Sequence, residues 1–69
     1  DYIKAVEWYS KAAAQGNANA QCLLGSCYES GRGVKQDRAK TFEWYLKAAE
    51  QGNAVGQCFL GDCYKYGQG

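Results

Sequence analysis

Histidine and proline are both absent from this 69-residue sequence. Without histidine, the commonest general base and metal ligand near neutral pH are missing, and most catalytic schemes lose a partner. Without proline, nothing interrupts a helix from within. An excess of one charge is also lacking: eight Lys and Arg against seven Asp and Glu leave a net +1, with the two signs interspersed. That gives neither a basic stripe for nucleic acid nor an acidic tail. Apolar runs stop after a few residues, whereas a membrane-spanning helix needs about 20, so no membrane partner is expected. No secretory signal is expected either. A start at Asp1 rather than methionine is what a processed product or a piece of a longer protein would show.

What is present is the composition of a folded domain, 46% hydrophobic and 22% charged. So short a chain forms one domain at most, and burial at this size is marginal without staples, metals or partners.

Self-similarity supplies the organisation. Trp8 and Trp44 lie 36 residues apart, as do Gly16 and Gly52, Cys22 and Cys58, Gly25 and Gly61, Cys27 and Cys63, Tyr28 and Tyr64, and Gly31 and Gly67. Residues 1–33 and 37–69 agree at 20 of 33 positions without a gap. A period in the mid-thirties with no strand signal points to an all-α array of helical hairpins stacked as a solenoid. Four helices are predicted, at about 1–15, 18–30, 37–51 and 54–66. Asp37 is a good N-cap, and Thr41, Trp44, Tyr45, Ala48 and Ala49 fall on one apolar face. Gly52 suits a helix end at positive φ, and Asn53 caps the next helix at once. Phe59, Leu60, Cys63 and Tyr64 form the apolar set of the last helix. Ala12-Ala13 and Ala48-Ala49 let a neighbouring helix come close. Gly25 and Gly61, repeated in mid-helix at a cost of about 1 kcal/mol each, predict close backbone approaches. Trp8, Trp44, Tyr28 and Tyr64 are expected to fill the wider gaps as packing residues rather than as a ligand platform.

The stretch GRGVKQ, Gly31 to Gln36, is not a phosphate loop. No strand precedes it, and neither a third glycine nor Lys-Ser/Thr follows. It is expected to be a turn in which glycine allows positive φ and Val34 plugs the core.

These residues resemble the Sel-one-like repeat family (SLR), relatives of the tetratricopeptide repeat. The resemblance rests on Ala20, Gln21, Leu24, Gly25, Tyr28, Gly31, Gly33 and Val34, then on Asp37, Lys40, Trp44, Tyr45, Lys47, Ala48, Ala49, Gln51 and Gly52. It covers the whole chain. Departures are Thr41, where Ala5 keeps the usual alanine, and Gly56, where Ala20 keeps it. The resemblance implies a right-handed superhelix of antiparallel helix pairs acting as a non-catalytic protein-interaction scaffold without a cofactor. It implies a concave groove at Asn19, Cys22, Ser26 and Glu29 in one unit and at Val55, Cys58, Asp62 and Lys65 in the other, with Tyr66 near the rim. It would receive a protein or peptide. On this reading residues 1–69 are an array of about two 36-residue units, out of phase with the repeat start and lacking polar capping faces. A second function follows from the missing caps and from a length three residues short of two periods: copies stack head to tail into a filament.

The four cysteines leave two readings open. Cys-x4-Cys on one helix cannot aim both sulfurs at one metal ion, a redox pair needs Cys-x2-Cys at a helix start, and no histidine activates a nucleophile. Packed thiols and inter-repeat disulfides remain. Residues five apart on a helix point about 140° apart, so Cys22 and Cys27 face opposite flanks. Cys27 would then meet Cys58 of the next unit, and Cys63 the counterpart of Cys22 in another copy. Against this, five residues rise about 7.5 Å, while bridged Cα atoms lie about 4.4–6.8 Å apart. In some members of the resembling family disulfides join the two helices of a hairpin; that resemblance places the partner near Ala13 and Ala49, which are alanines here. Localisation stays tied to this choice: cytoplasmic for free thiols, extracellular or periplasmic for disulfides.

Overall fold

Each helix begins where a short polar side chain can accept from an otherwise unpaired amide. In the computed structural model, which describes residues 1–67, Asp1 caps α1 (Tyr2–Ala14), accepting from the amides of Ile3 at 2.9 Å and Lys4 at 3.5 Å. Asn17 caps α2 (Ala18–Ser30) through Ala20 N–H at 2.9 Å. Asp37 caps α3 (Arg38–Glu50) through Lys40 N–H at 3.1 Å, and Asn53 caps α4 (Ala54–Tyr66) through Gly56 N–H at 3.0 Å. The bounds of α2 and α4 match the expectation. Asp1, Gln15, Asp37 and Gln51 prove to be caps rather than helical residues. Gln68 and Gly69 lie outside the described residues.

The helices pack in chain order: α1 on α2, α2 on α3, α3 on α4. Gly16 and Gly52 take positive φ at the two short turns, so each hairpin reverses within three residues. The longer turn, 31–37, returns to α2, where Asp37 N–H donates to the Tyr28 carbonyl at 3.0 Å and Gln36 Nε2 donates to the Glu29 carbonyl at 2.8 Å. Gly33 is needed there twice over. Its φ is +74°, and a Cβ at that position would lie 2.5 Å from the Tyr2 carbonyl oxygen. Val34 is half-buried against the core, as a plug should be.

Two hydrophobic clusters hold the stack. The first joins Val6 and Ala13 of α1 to Ala20, Leu24 and Cys27 of α2, with Tyr9, Ala12, Tyr28, Val34 and Trp44 packed against it. The second joins Cys22 of α2 to Tyr45 and Ala48 of α3, with Ala18 and Phe59 alongside. Phe59 stacks on Tyr45 at 4.1 Å between ring centroids, which ties α4 to α3. The expected apolar face of α3 is the buried one: Thr41, Tyr45 and Ala48 are inside, Trp44 and Ala49 half-buried.

Two aromatic assignments need correction. Trp44 and Tyr28 pack as expected, but their repeat counterparts Trp8 and Tyr64 are 67% and 77% exposed. The reason is positional. Trp44 reaches back onto the preceding repeat and Tyr28 lies under the turn and helix that follow it, whereas Trp8 and Tyr64 look outward from the two ends of the stack. Gly25 makes the predicted close approach, with a built Cβ 3.1 Å from the Tyr45 ring; Gly61 has nothing within 4 Å. The tightest approach at a helical glycine lies elsewhere, at Gly56, whose Cβ would be 2.7 Å from the Tyr45 carbonyl oxygen and 2.8 Å from the Ala49 nitrogen.

Candidate interaction surface

The residues expected to line a groove divide between two environments. On α2, Asn19 and Glu29 are exposed, Ser26 is half-buried, and Cys22 is buried. Cys22 is therefore corrected from a groove residue to a joint residue. Its thiol donates to Asn53 Oδ1 at 3.1 Å, because the start of α4 lies across that flank of α2. On α4, Val55, Cys58, Asp62, Lys65 and Tyr66 are all exposed. Lys65 lies over the Tyr66 ring, 5.3 Å from its centroid.

The joint itself is a run of amide side chains that sequence inspection did not single out. Gln21 Nε2 donates to the Ala13 carbonyl at 3.1 Å, and Gln51 Nε2 donates to Gln21 Oε1 at 2.9 Å. Asn53 Nδ2 donates to Asn19 Oδ1 at 3.2 Å. Gln57 Nε2 donates to the Ala49 carbonyl at 3.4 Å, repeating the Gln21 contact one unit on. The available signal was the recurrence of Gln and Asn at both helix-turn junctions, Gln15–Asn17 and Gln51–Asn53. Lys11 over Trp8 at 4.9 Å and Lys47 over Trp44 at 4.7 Å give the Trp-x-x-Lys spacing its physical sense: each ammonium rests on the indole one turn before it.

A cleft of about 410 Å3 opens between α2, α3 and α4, lined by Glu29, Gln36, Arg38, Thr41, Phe42, Phe59 and Cys63. Its bed corresponds, 36 residues earlier, to Tyr2, Ala5, Val6, Leu23 and Cys27. There, Gly33 lies against Tyr2 and Val6. The cleft thus has the form of a turn's packing bed and not of a ligand pocket.

The cysteines are free thiols. Cys27 faces α1 in the first cluster, and Cys58 is exposed on α4. They look in opposite directions along the stack, so the structure does not bring the expected pair together. Cys22 and Cys63 are interior, not end-facing. Burial pushes the thiols of Cys22, Cys27 and Cys63 up from their ordinary value; at Cys63 the Asp62 and Glu29 carboxylates add to it, while Arg32 works against it at Cys27. Raised thiols remain protonated at neutral pH and make poor nucleophiles. No group of three or more metal-ligating side chains occurs among the described residues, and no described helix is long and apolar enough to cross a membrane.

Stacked helical hairpins with a polar joint define a helical-repeat protein. The Sel1 repeat model matches residues 1–17, 18–53 and 54–69, and the chain belongs to that family. Among solved structures, the chain is similar to a protective antigen of uropathogenic Escherichia coli with an SLR fold, at 49% identity and a TM-score of 0.93. That match covers 97% of this chain and 14% of the antigen. A Sel1 repeat protein from Oxalobacter formigenes is 45% identical with a TM-score of 0.85, over 90% of this chain and 18% of that one. This chain thus spans less than a fifth of either relative. No curated protein matches it.

Proposed function

We propose that this chain is a non-catalytic scaffold that docks a protein or peptide on the exposed side chains of α2 and α4. The observation that carries this is the division of the helix surfaces. On α2 the positions shared by the two units, Gln21, Cys22, Leu24, Gly25 and Cys27, are buried in packing, while Asn19, Glu29, Val55, Asp62, Lys65 and Tyr66 differ between the units and face solvent. Side chains free of packing duty are those a repeat protein can devote to a partner. The three raised thiols and the lack of histidine support a binding rather than a catalytic role. Selection from a random peptide library, followed by amide chemical-shift mapping, tests the proposal. Shifts should cluster on Asn19, Glu29, Asp62, Lys65 and Tyr66, and charge reversal at Glu29 and Lys65 should weaken the selected peptides. Failure to enrich any peptide, or shifts confined to other faces, would overturn it.

A structural role, with copies stacked head to tail, is the second reading. The recurrence on α4 of the α2 residues that meet α3, as Gln57, Cys58, Gly61 and Tyr64, favours it.

A further inference from the structure

Tyr45 is rooted on α3, and its ring passes between α2 and α4. On one side the ring lies against Gly25 of α2, where a built Cβ would be 3.1 Å from Cδ2 and Cε2. Phe59 of α4 stacks on it, with 4.1 Å between centroids. Held by both helices, the side chain carries its hydroxyl through the gap between them, away from α3. The residue is only 7% exposed. Among the described residues its hydroxyl forms no hydrogen bond, yet no fully buried side-chain oxygen is left without a partner. The hydroxyl is therefore at the accessible tip. A tyrosine more than nine-tenths buried thus presents an unpartnered oxygen at the floor of the groove between α2 and α4.

Carboxylates gather over that oxygen. Glu29 of α2 acts on it electrostatically, with the Ser26 side chain beside it. The carboxylates that act on the Cys63 thiol, one turn after Phe59, are Asp62 of α4 and again Glu29. Two acidic side chains from two helices therefore converge on one spot. The fold does not consume them. Glu29 is tied down by its main-chain carbonyl, which accepts from Gln36 Nε2 at 2.8 Å, and both Glu29 and Asp62 are exposed. Because α2 is packed by α1 and by α3, the exposure of Glu29 belongs to the groove. The one cation of α4, Lys65, lies over the Tyr66 ring at 5.3 Å, and Arg38 lines the adjoining cleft. The pair is also particular to this place: 36 residues away, the same two positions hold Lys65 and Ser26. With a net charge of only +1, the molecule as a whole does not attract a cation, so any attraction is local.

We infer that the groove takes an arginine side chain of a peptide partner between α2 and α4, its guanidinium donating to the carboxylates of Glu29 and Asp62 and to the Tyr45 hydroxyl oxygen. The inference rests on the docking face proposed above and names the chemistry of what docks there. A guanidinium carries donors in several directions within one plane, so it can reach two carboxylates and a third acceptor together. An ammonium is a compact, more strongly hydrated charge and serves such a set less well.

The probe is the blocked tripeptide acetyl-Gly-Arg-Gly-amide, compared with its citrulline and lysine analogues. In an NMR titration at low ionic strength, the arginine peptide should move the side-chain carboxyl signals of Glu29 and Asp62 and the ring signals of Tyr45 saturably. Citrulline, which keeps the shape and loses the charge, should bind about tenfold more weakly, and lysine about threefold. Glu29→Gln and Asp62→Asn should each weaken the arginine peptide about three- to fivefold. Tyr45→Phe, which keeps the stack on Phe59, should weaken it about threefold, and circular dichroism checks that the variants fold. Equal binding of the arginine and citrulline peptides, shifts that avoid Glu29 and Asp62, or indifference to the three variants overturns the inference. Selection from the peptide library separates it from the reading it rests on. Enriched peptides that bind this face without an arginine leave the docking face standing and overturn the arginine site, whereas failure to enrich any peptide overturns both.

Discussion

Replacing the helical glycines by alanine separates packing from propensity, because the same methyl meets three different surroundings. At Gly61 it meets nothing within 4 Å, so the chain should gain the full helix-propensity difference of about 1 kcal/mol. At Gly25 it meets the Tyr45 ring at 3.1 Å. That ring is held by its stack on Phe59 and can yield only a few tenths of an ångström, so gain and loss should nearly cancel. At Gly56 it meets main-chain atoms at 2.7 and 2.8 Å, and these cannot swing aside. There α4 must lift from α3, at an overpacking cost of about 1–3 kcal/mol. Propensity offsets less than 1 kcal/mol of this, since Gly56 sits in the first turn. For a domain of this size about 1 kcal/mol moves the melting temperature by about 4–8 °C. Gly61→Ala should therefore melt about 4–8 °C above wild type, Gly25→Ala within a few degrees of it, and Gly56→Ala about 5–10 °C below. Thermal melts followed by circular dichroism at about 10 µM, well below the concentrations at which weak interfaces form, give the order. A Gly56→Ala chain as stable as Gly61→Ala would show that the α3–α4 contact is looser than its geometry states.

Two further outcomes follow from the polar joint and the thiols. Asn53→Ala removes the α4 cap, the partner of the buried Cys22 thiol and a bond to Asn19 together; it should cost about 2–3 kcal/mol in urea unfolding, against about 1 kcal/mol for Asn17→Ala, which loses a cap alone. Equal costs for the two would refute the shared role of Asn53. Burial raises Cys22, Cys27 and Cys63 above their ordinary 9.0, and burial with the Glu29 charge raises Tyr45 above its ordinary 10.0. Folded groups that hold their protons longer than unfolded ones contribute stability in full below the ordinary value and lose it as pH rises past it. Melting temperatures should hold from pH 7 to about 8.5 and fall above about 9; a constant value up to about pH 10.5 refutes the burial argument.

The sequence exposed what depends on local chemistry and concealed what depends on which way a flank faces. Asp37 and Asn53 could be read as caps because an N-cap needs only its own next turn. Val34 could be read as a plug because the turn glycines around it demand one. The 140° between Cys22 and Cys27 correctly separated two flanks, yet nothing in a list of residues says which flank meets the next repeat; α4 crosses at Cys22, and the direction of the stack was inverted. Gly56 looked like a departure from the repeat pattern, although it marks the closest approach of one helix backbone to another at a helical glycine. Trp8 and Tyr64 match their buried counterparts residue for residue, and only their position at the ends exposes them. Among the groove residues, Asn19 and Glu29 are accessible on α2 as expected, while Cys22 is consumed by the joint.

Asn53 Oδ1 accepts from Gly56 N–H within its own helix and from the Cys22 thiol of another. One oxygen therefore serves both the initiation of α4 and its attachment to α2. In an array of such units this couples helix nucleation to the neighbour: the cap of α4 shares its oxygen with the thiol of α2, and fraying of α4 releases that thiol. The coupling term of a one-dimensional folding model would then include the turn asparagine beside the hydrophobic clusters, and an amide side chain would help set the number of repeats that melt together.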